Sequence, residues 1–137
     1  MILVDTSILS LVLRRRNPDR LSPRERSCVD DFLALSDRGD VVLMGVIRQE
    51  LLSGIRLKEQ FIRLQQILNG YDYIDVTLAD YDAGAECFNL CRSSGVAAGD
   101  IDMLICAVAI RQDMPVFTAD PDFMRYAKLL PLRLHHA

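Results

Sequence analysis

The sequence predicts an α/β domain built on a central parallel sheet, and three observations lead there. Short apolar runs without polar alternation, Met1–Val4, Val41–Met44 and Pro115–Thr118, read as strands buried on both faces. Between them lie longer stretches whose apolar residues recur at helical spacing. The chain has 137 residues, 50% hydrophobic and 26% charged, the make-up of one ordinary globular domain spanning 1–137 with enough length to bury a core.

Asp5 stands where the first strand ends, and Thr6 or Ser7 can cap the helical run Ile8–Leu13 that follows. Ligands of open α/β sheets collect outside the carboxyl ends of strands, so Asp5 is where a site is expected. Arg14-Arg15-Arg16-Asn17-Pro18-Asp19-Arg20 reads as a loop, since Pro18 bars helix through it. Its arginines Arg14, Arg15, Arg16 and Arg20 either grip RNA phosphates or an acidic partner, or are simply solvated. Ser22 caps a helix with Pro23 at its first position and Val29, Phe32, Leu33 and Leu35 inward; Gly39 ends it. Val41–Met44 is the second strand.

The helix after that strand has an inward arc of Val46, Ile47, Leu51 and Gly54, and Glu50 falls inside the arc. A buried glutamate needs a partner: a cation, or an arginine such as Arg48 or Arg56. Arg56–Leu68 is the next helical pattern, with Leu57, Phe61, Leu64 and Leu68 inward, and Asn69-Gly70 stops it. Tyr73–Val76 is a third, shorter strand. Thr77 and Asp80 form a capping-box start for a helix running to about Cys91.

From Gly99 to Ile110 the chain is apolar on nearly every side after Asp102, which places this helix in the core. Asp100 reads as its N-cap and Asp102 as a first-turn acid favoured by the helix dipole, or as a site carboxylate at the mouth of a buried helix. The fourth strand delivers Thr118-Ala119-Asp120-Pro121-Asp122, a hydroxyl and a carboxylate at a strand end, as at Asp5 and Thr6. Asp120 equally suits a turn, since Asp before Pro is common there. Arg125–Lys128 is a short helix, Pro131–Leu134 a possible edge strand, and His135-His136-Ala137 a tail.

A net charge of −3 argues against a generic electrostatic binder of nucleic acid, but suits an enzyme that reaches phosphates through bound cations. No apolar run is long enough to cross a membrane, and no signal peptide is visible, which points to the cytoplasm. Cys28, Cys87, Cys91 and Cys106 lack zinc-type spacing and read as free thiols.

Crossovers in such a sheet bring strand ends to one side, where Asp5, Glu50, Asp102 and Asp120 can meet. Four ionised carboxylates share a pocket only with a neutralising cation. All-oxygen donors point to Mg²⁺, with Mn²⁺ as a substitute. A cation that bridges carboxylates to a phosphodiester and a water molecule suits hydrolysis.

The same residues carry a resemblance. Ile2-Leu3-Val4-Asp5-Thr6-Ser7, Gln49-Glu50-Leu51-Leu52-Ser53-Gly54, Asp102-Met103-Leu104-Ile105-Cys106-Ala107 and Thr118-Ala119-Asp120-Pro121-Asp122-Phe123 follow one another as in PIN-domain ribonucleases. The chain is most similar to the VapC-type toxins of toxin–antitoxin pairs, from end to end. The resemblance implies a three-layer fold with five parallel strands in the order 3-2-1-4-5, flanked by helices. It implies that Asp5, Glu50 and Asp102 form the metal site and that Asp120 is the fourth acid. Thr6 and Thr118 would orient carboxylates by hydrogen bonds. Asp122, where family members carry an acid or asparagine, would support the site from behind. Further implications are a homodimer, a VapB-type antitoxin that silences it, and tRNA or ribosomal RNA as substrate.

A non-cleaving PIN-like module that holds RNA or a protein is the alternative, against which the retained acids argue. A phosphatase of the haloacid dehalogenase type needs an aspartate where Ser7 stands, and a nucleotide-binding fold needs a glycine-rich loop after the first strand.

Overall fold

The computed structural model describes residues 1–14 and 18–136. Its sheet has four strands, β1 (Ile2–Val4), β2 (Val41–Met44), β3 (Asp72–Ile74) and β4 (Val116–Phe117). They run parallel in the order β3-β2-β1-β4. Leu3 pairs with Val42 on one side and Val116 on the other, so β1 is central and buried on both faces.

The expected order 3-2-1-4-5 therefore holds for the strands present, and the fifth place is taken by one parallel bridge, Leu134 to Val116. Val116 N–H donates to Arg133 O at 3.0 Å and His135 N–H to Val116 O at 2.9 Å. A longer strand has little to pair with, because β4 is only two residues long and Pro131 offers no N–H. His135 is no free tail: its ring meets Phe117 edge-on at 4.9 Å and its Nε2 lies 2.5 Å from Asp31 Oδ2.

Among the described residues seven helices flank the sheet: α1 (Thr6–Leu13), α2 (Pro23–Asp37), α3 (Gly45–Leu52), α4 (Lys58–Leu68), α5 (Leu78–Ser93), α6 (Asp100–Gln112) and α7 (Asp122–Leu129). A 3-10 turn, Pro18–Arg20, precedes α2. α1 packs on α2 and α3, and α3 on α4; α5 packs on α6 and α7. The local signals explain most of the ends. Ser22 and Glu25 close a capping box at α2, and Thr77 and Asp80 another at α5. Gly39 then turns the chain from α2 into β2 at φ +72°, a conformation that costs glycine little.

α6 is buried continuously from Met103 to Ala109, as its apolar surround predicts. Its cap is Gly99 rather than Asp100, which is the exposed first residue of the helix. Leu33 and Leu57, expected inward, are 48% and 59% exposed. In α2 the inward stripe is Cys28, Phe32 and Leu35, and Leu57 lies outside the helix as the residue before α4.

The acid end of α5 is tied to the far end of α6 by a pairing that local patterns do not reveal. Asp80, 1% exposed, receives Arg111 Nε at 2.5 Å on Oδ1 and Nη2 at 2.8 Å on Oδ2. This two-point contact holds the Asp80 carboxyl below the usual carboxylate range, against the opposing push of burial.

Candidate active site

Parallel strands share one carboxyl edge, and the crossover helix α6, which runs back from that edge, begins there. The topology thus brings the end of β1, the end of β4 and the start of α6 together. Asp5 follows β1, is buried, and its N–H donates to Phe117 O at 2.9 Å, which fixes its backbone against β4.

The Asp5 side chain is set by hydroxyls. Oδ2 accepts from Ser7 Oγ at 2.9 Å and from Thr118 Oγ1 at 2.9 Å. Each hydroxyl in turn accepts a backbone N–H, Ser7 from Ala119 at 2.9 Å and Thr118 from Asp120 at 3.0 Å. With their single protons given to the carboxylate, both hydroxyls fix its orientation. Asp5 is the N-cap of α1 yet makes no side-chain capping bond, so the carboxylate is not used on the helix.

Thr118 sits as expected, but the partner hydroxyl is Ser7 and not Thr6. Thr6 Oγ1 is buried without a hydrogen-bond partner among the described residues. Ser7 occupies the second turn position after Asp5, from which its side chain reaches back to the carboxylate. The adjacent hydroxyls of Thr6 and Ser7 carry no signal in the sequence that separates them.

Asp102, in the first turn of α6, is half-buried. Burial pushes its carboxyl up to about 6; the Tyr126 hydrogen bond opposes this, and the charges of Asp5, Asp120 and Glu50 add to it. Those three charges each act on Asp102. Tyr126, on α7 and buried, donates from Oη to Asp102 Oδ2 at 3.2 Å. Its ring is held edge-on by Phe123 at 5.2 Å. Nothing local in the sequence marks Tyr126, which lies 24 residues beyond its partner. Tyr126→Phe should raise the Asp102 pKa further, because a donor to the charged form is lost; carboxyl carbon NMR across pH 4–8 measures it, roughly spanning the titration.

Asp120 makes the turn its sequence allows. Its Oδ1 accepts the Asp122 N–H at 2.9 Å, a turn around Pro121 that starts α7, while its charge acts on Asp102. The Asp122 carboxylate is engaged elsewhere, with Arg125 Nη2 at 3.3 Å on the surface.

Glu50 is exposed, not inward. The buried stripe of α3 is only Ile47 and Leu51, so Glu50 lies at its flank, on the rim of the acid cluster. Neither of the neighbouring arginines holds it: Arg48 donates to Tyr73 Oη at 3.2 Å and Asn69 Oδ1 at 2.8 Å, and among the described residues Arg56 forms no ion pair. Arg14 and Arg20 are exposed, while Arg15 and Arg16 lie outside the described residues.

The thiols take no part. Burial raises the pKa of Cys28, Cys87, Cys91 and Cys106, keeping all four protonated. The carboxylates offer a donor set of oxygens alone, which suits a hard divalent cation. Among the described residues no three such side chains close around a single point. A bound cation would relieve the repulsion that adds to burial in lifting Asp102.

The chain was compared with known proteins. Curated protein sequences gave no match. Among solved structures it is similar to VapBC2 from Rickettsia felis bound to a DNA fragment from their promoter, with a TM-score of 0.76 and 19% identity over 98% of each chain. It is also similar to FitAcB from Neisseria gonorrhoeae, with a TM-score of 0.73 and 21% identity over 99% of this chain and 97% of the other. A third likeness is to Mycobacterium tuberculosis VapC20, described as a sarcin-ricin loop cleaving toxin: TM-score 0.68, 18% identity, 97% of this chain and 99% of that one. At these identities the likeness is one of fold. The model of the PIN domain matches residues 2–129, nearly the whole chain, and the chain therefore belongs to the PIN-domain family.

Proposed function

We propose that this chain is a divalent-cation-dependent endoribonuclease of the VapC toxin type. What supports this is the carboxyl edge of the sheet, where Asp5 follows β1 and Asp102 opens α6, with Asp102 lifted to about 6 by burial first and then by the charges of Asp5, Asp120 and Glu50. A PIN-domain chain with this cluster has the parts for phosphodiester hydrolysis. Mg²⁺, or Mn²⁺ in its place, would be held by Asp5 and Asp102 with Asp120 and Glu50 close by; when bound it supplies a Lewis acid for the phosphate and a more acidic water.

The protein's own contribution is placement. Ser7 and Thr118 hold one oxygen of Asp5 and Tyr126 holds one oxygen of Asp102, so each carboxylate keeps its other oxygen for the reacting groups. Asp120 is kept in place by the turn into α7. Glu50, on the open rim, is the acid nearest to solvent and to an arriving strand.

RNA as the substrate draws support from the sarcin-ricin loop cleaving activity that describes VapC20, and a cognate antitoxin from the paired proteins in the VapBC2 and FitAcB structures. Homodimerisation, work in the cytoplasm and a tRNA or ribosomal RNA target follow the family resemblance. No helix among the described residues is long and apolar enough to cross a membrane. Incubation of total RNA with the purified protein should give discrete cuts with Mg²⁺ and none with chelator. Intact RNA in both, from folded protein that binds RNA, would instead favour a non-cleaving binding module.

The cluster also has a stability signature. Asp102 has a folded-state pKa above its unfolded value near 3.9, so the cation-free native state binds more protons between those values and loses stability as pH rises through them. Asp102→Asn removes that titration. It should raise the melting temperature of cation-free protein at pH 7.5 by a few degrees and change it little at pH 5, near or below the folded pKa. Equal shifts at both pH values would contradict a raised folded-state pKa at Asp102.

A further inference from the structure

An open groove of about 540 Å³ lies between the end of α1, the segment joining α3 to α4, and α4 itself. Arg14, Arg56 and Arg63 line it, one from each of these three elements, and no acidic side chain does. Among the described residues none of the three makes an ion pair, as Arg38, Arg125 and Arg133 do, and the chain as a whole carries a net charge of −3. Three unpaired guanidinium groups gathered in one concavity form a local positive site on an acidic protein.

Two helices that start beside or carry an acid lead towards the groove: Gly54, in its wall, lies just past the end of α3, which carries Glu50, and Leu13 and Arg14 end α1, whose N-cap is Asp5. A strand cut at the acids must run away from them across the surface, and its phosphates are repelled by the carboxylates. The groove offers surface of opposite sign. Guanidinium forks match phosphate oxygens at two points and also stack on unpaired bases. The half of the wall formed by Leu13, Leu57 and Ile67 offers apolar surface to sugar and base faces.

Building on the nuclease function above, we propose that Arg14, Arg56 and Arg63 form the track for single-stranded RNA leading from the acid cluster, by contact with successive backbone phosphates. Arg20, whose sequence neighbours suggested a role of this kind, does not line the groove. Arg56 and Arg63 are added by the fold.

The test is equilibrium binding, not cleavage. Wild-type full-length protein in chelator is titrated against a labelled single-stranded RNA of mixed sequence, about twelve nucleotides long, over a series of salt concentrations. The triple variant Arg14→Ala, Arg56→Ala, Arg63→Ala should bind at least about tenfold more weakly and lose about 2 from the slope of log K against log salt, near 0.7 per phosphate released. The triple lysine variant should keep most of the slope, since the charges remain. All three replaced positions lie on the surface, so melting temperatures should be unchanged. An unchanged slope and affinity in the alanine variant overturns the track, even if the wild type cuts RNA with Mg²⁺. Arginine-dependent binding by a protein that never cuts leaves the track standing and removes the nuclease. Arginine-dependent binding of a polyglutamate peptide, with RNA affinity unaltered, overturns the RNA assignment in favour of an acidic protein partner.

Discussion

Asp5→Ala and Asp102→Ala are each expected to lower cation-dependent RNA cleavage by at least about a thousandfold, the loss of roughly 4 kcal/mol of transition-state stabilisation. The size follows from what each side chain does. Asp5 is buried, fixed to β4 through its backbone, and oriented by two hydroxyls that each have their own backbone donor. Its carboxylate is the most rigidly placed of the four, and no neighbour can move in to replace it. Asp102 is held by Tyr126 from a different helix. The fold should survive both changes, because neither carboxylate caps its helix by a side-chain bond or pairs with a cation of the protein. Circular dichroism and melting of the variants, beside single-turnover cleavage of RNA, separate loss of chemistry from loss of structure. Cleavage by Asp102→Ala at the wild-type rate would remove Asp102 from the site.

Arg111→Ala is expected to destabilise the protein clearly with no change at the acids. It leaves the Asp80 carboxylate buried and without its two-point partner, at the junction of α5 and α6. The loss is tempered because the Arg111 side chain is itself 37% exposed and water can reach part of the gap. The same pair sets an acid limit. Asp80 has a folded-state pKa below its unfolded value, so its contribution is complete above about pH 4 and is lost as pH falls through the lower folded value. Urea unfolding at pH 7 and pH 3 measures both. The cost of Arg111→Ala should be large at pH 7 and shrink at pH 3, and an equal cost at both would mean that the arginine acts by packing alone.

These two predictions mark what is and is not legible in a sequence of this kind. β1, β2 and β4 are visible as unbroken apolar runs and the helices as periodic ones, because those patterns are set by which face of an element is buried, whereas β3, expected at Tyr73–Val76, lies at Asp72–Ile74 and is only half-buried. The capping boxes at Ser22 and Thr77 were visible because their partners are three residues apart. Asp5 and Asp120 stood out as carboxylates at strand ends, and parallel topology alone then brings those ends together. Ser7, Tyr126 and the Asp80–Arg111 pair could not be read in this way. Their contacts join elements 24 to 112 residues apart and depend on side-chain reach, which no local pattern encodes.

Glu50 shows the limit of periodicity in the other direction. One step of 100° separates Glu50 from buried Leu51, and on a helix with only two buried residues that step decides between core and rim. The fifth strand shows another limit. Leu132 and Leu134 have strand-like alternation, but the length of a strand is set by its neighbour, and β4 offers two residues.

Direct titration with Mn²⁺ or Mg²⁺, followed by calorimetry at pH 7.5 on wild type and Asp5→Ala, asks without any RNA whether the acids collect a cation. Saturable binding by the wild type, lost in Asp5→Ala and weakened at least about tenfold in Tyr126→Phe, is the expected result. Equal binding by wild type and Asp5→Ala, or none by the folded wild type, would contradict a divalent cation held at the carboxyl edge of this sheet.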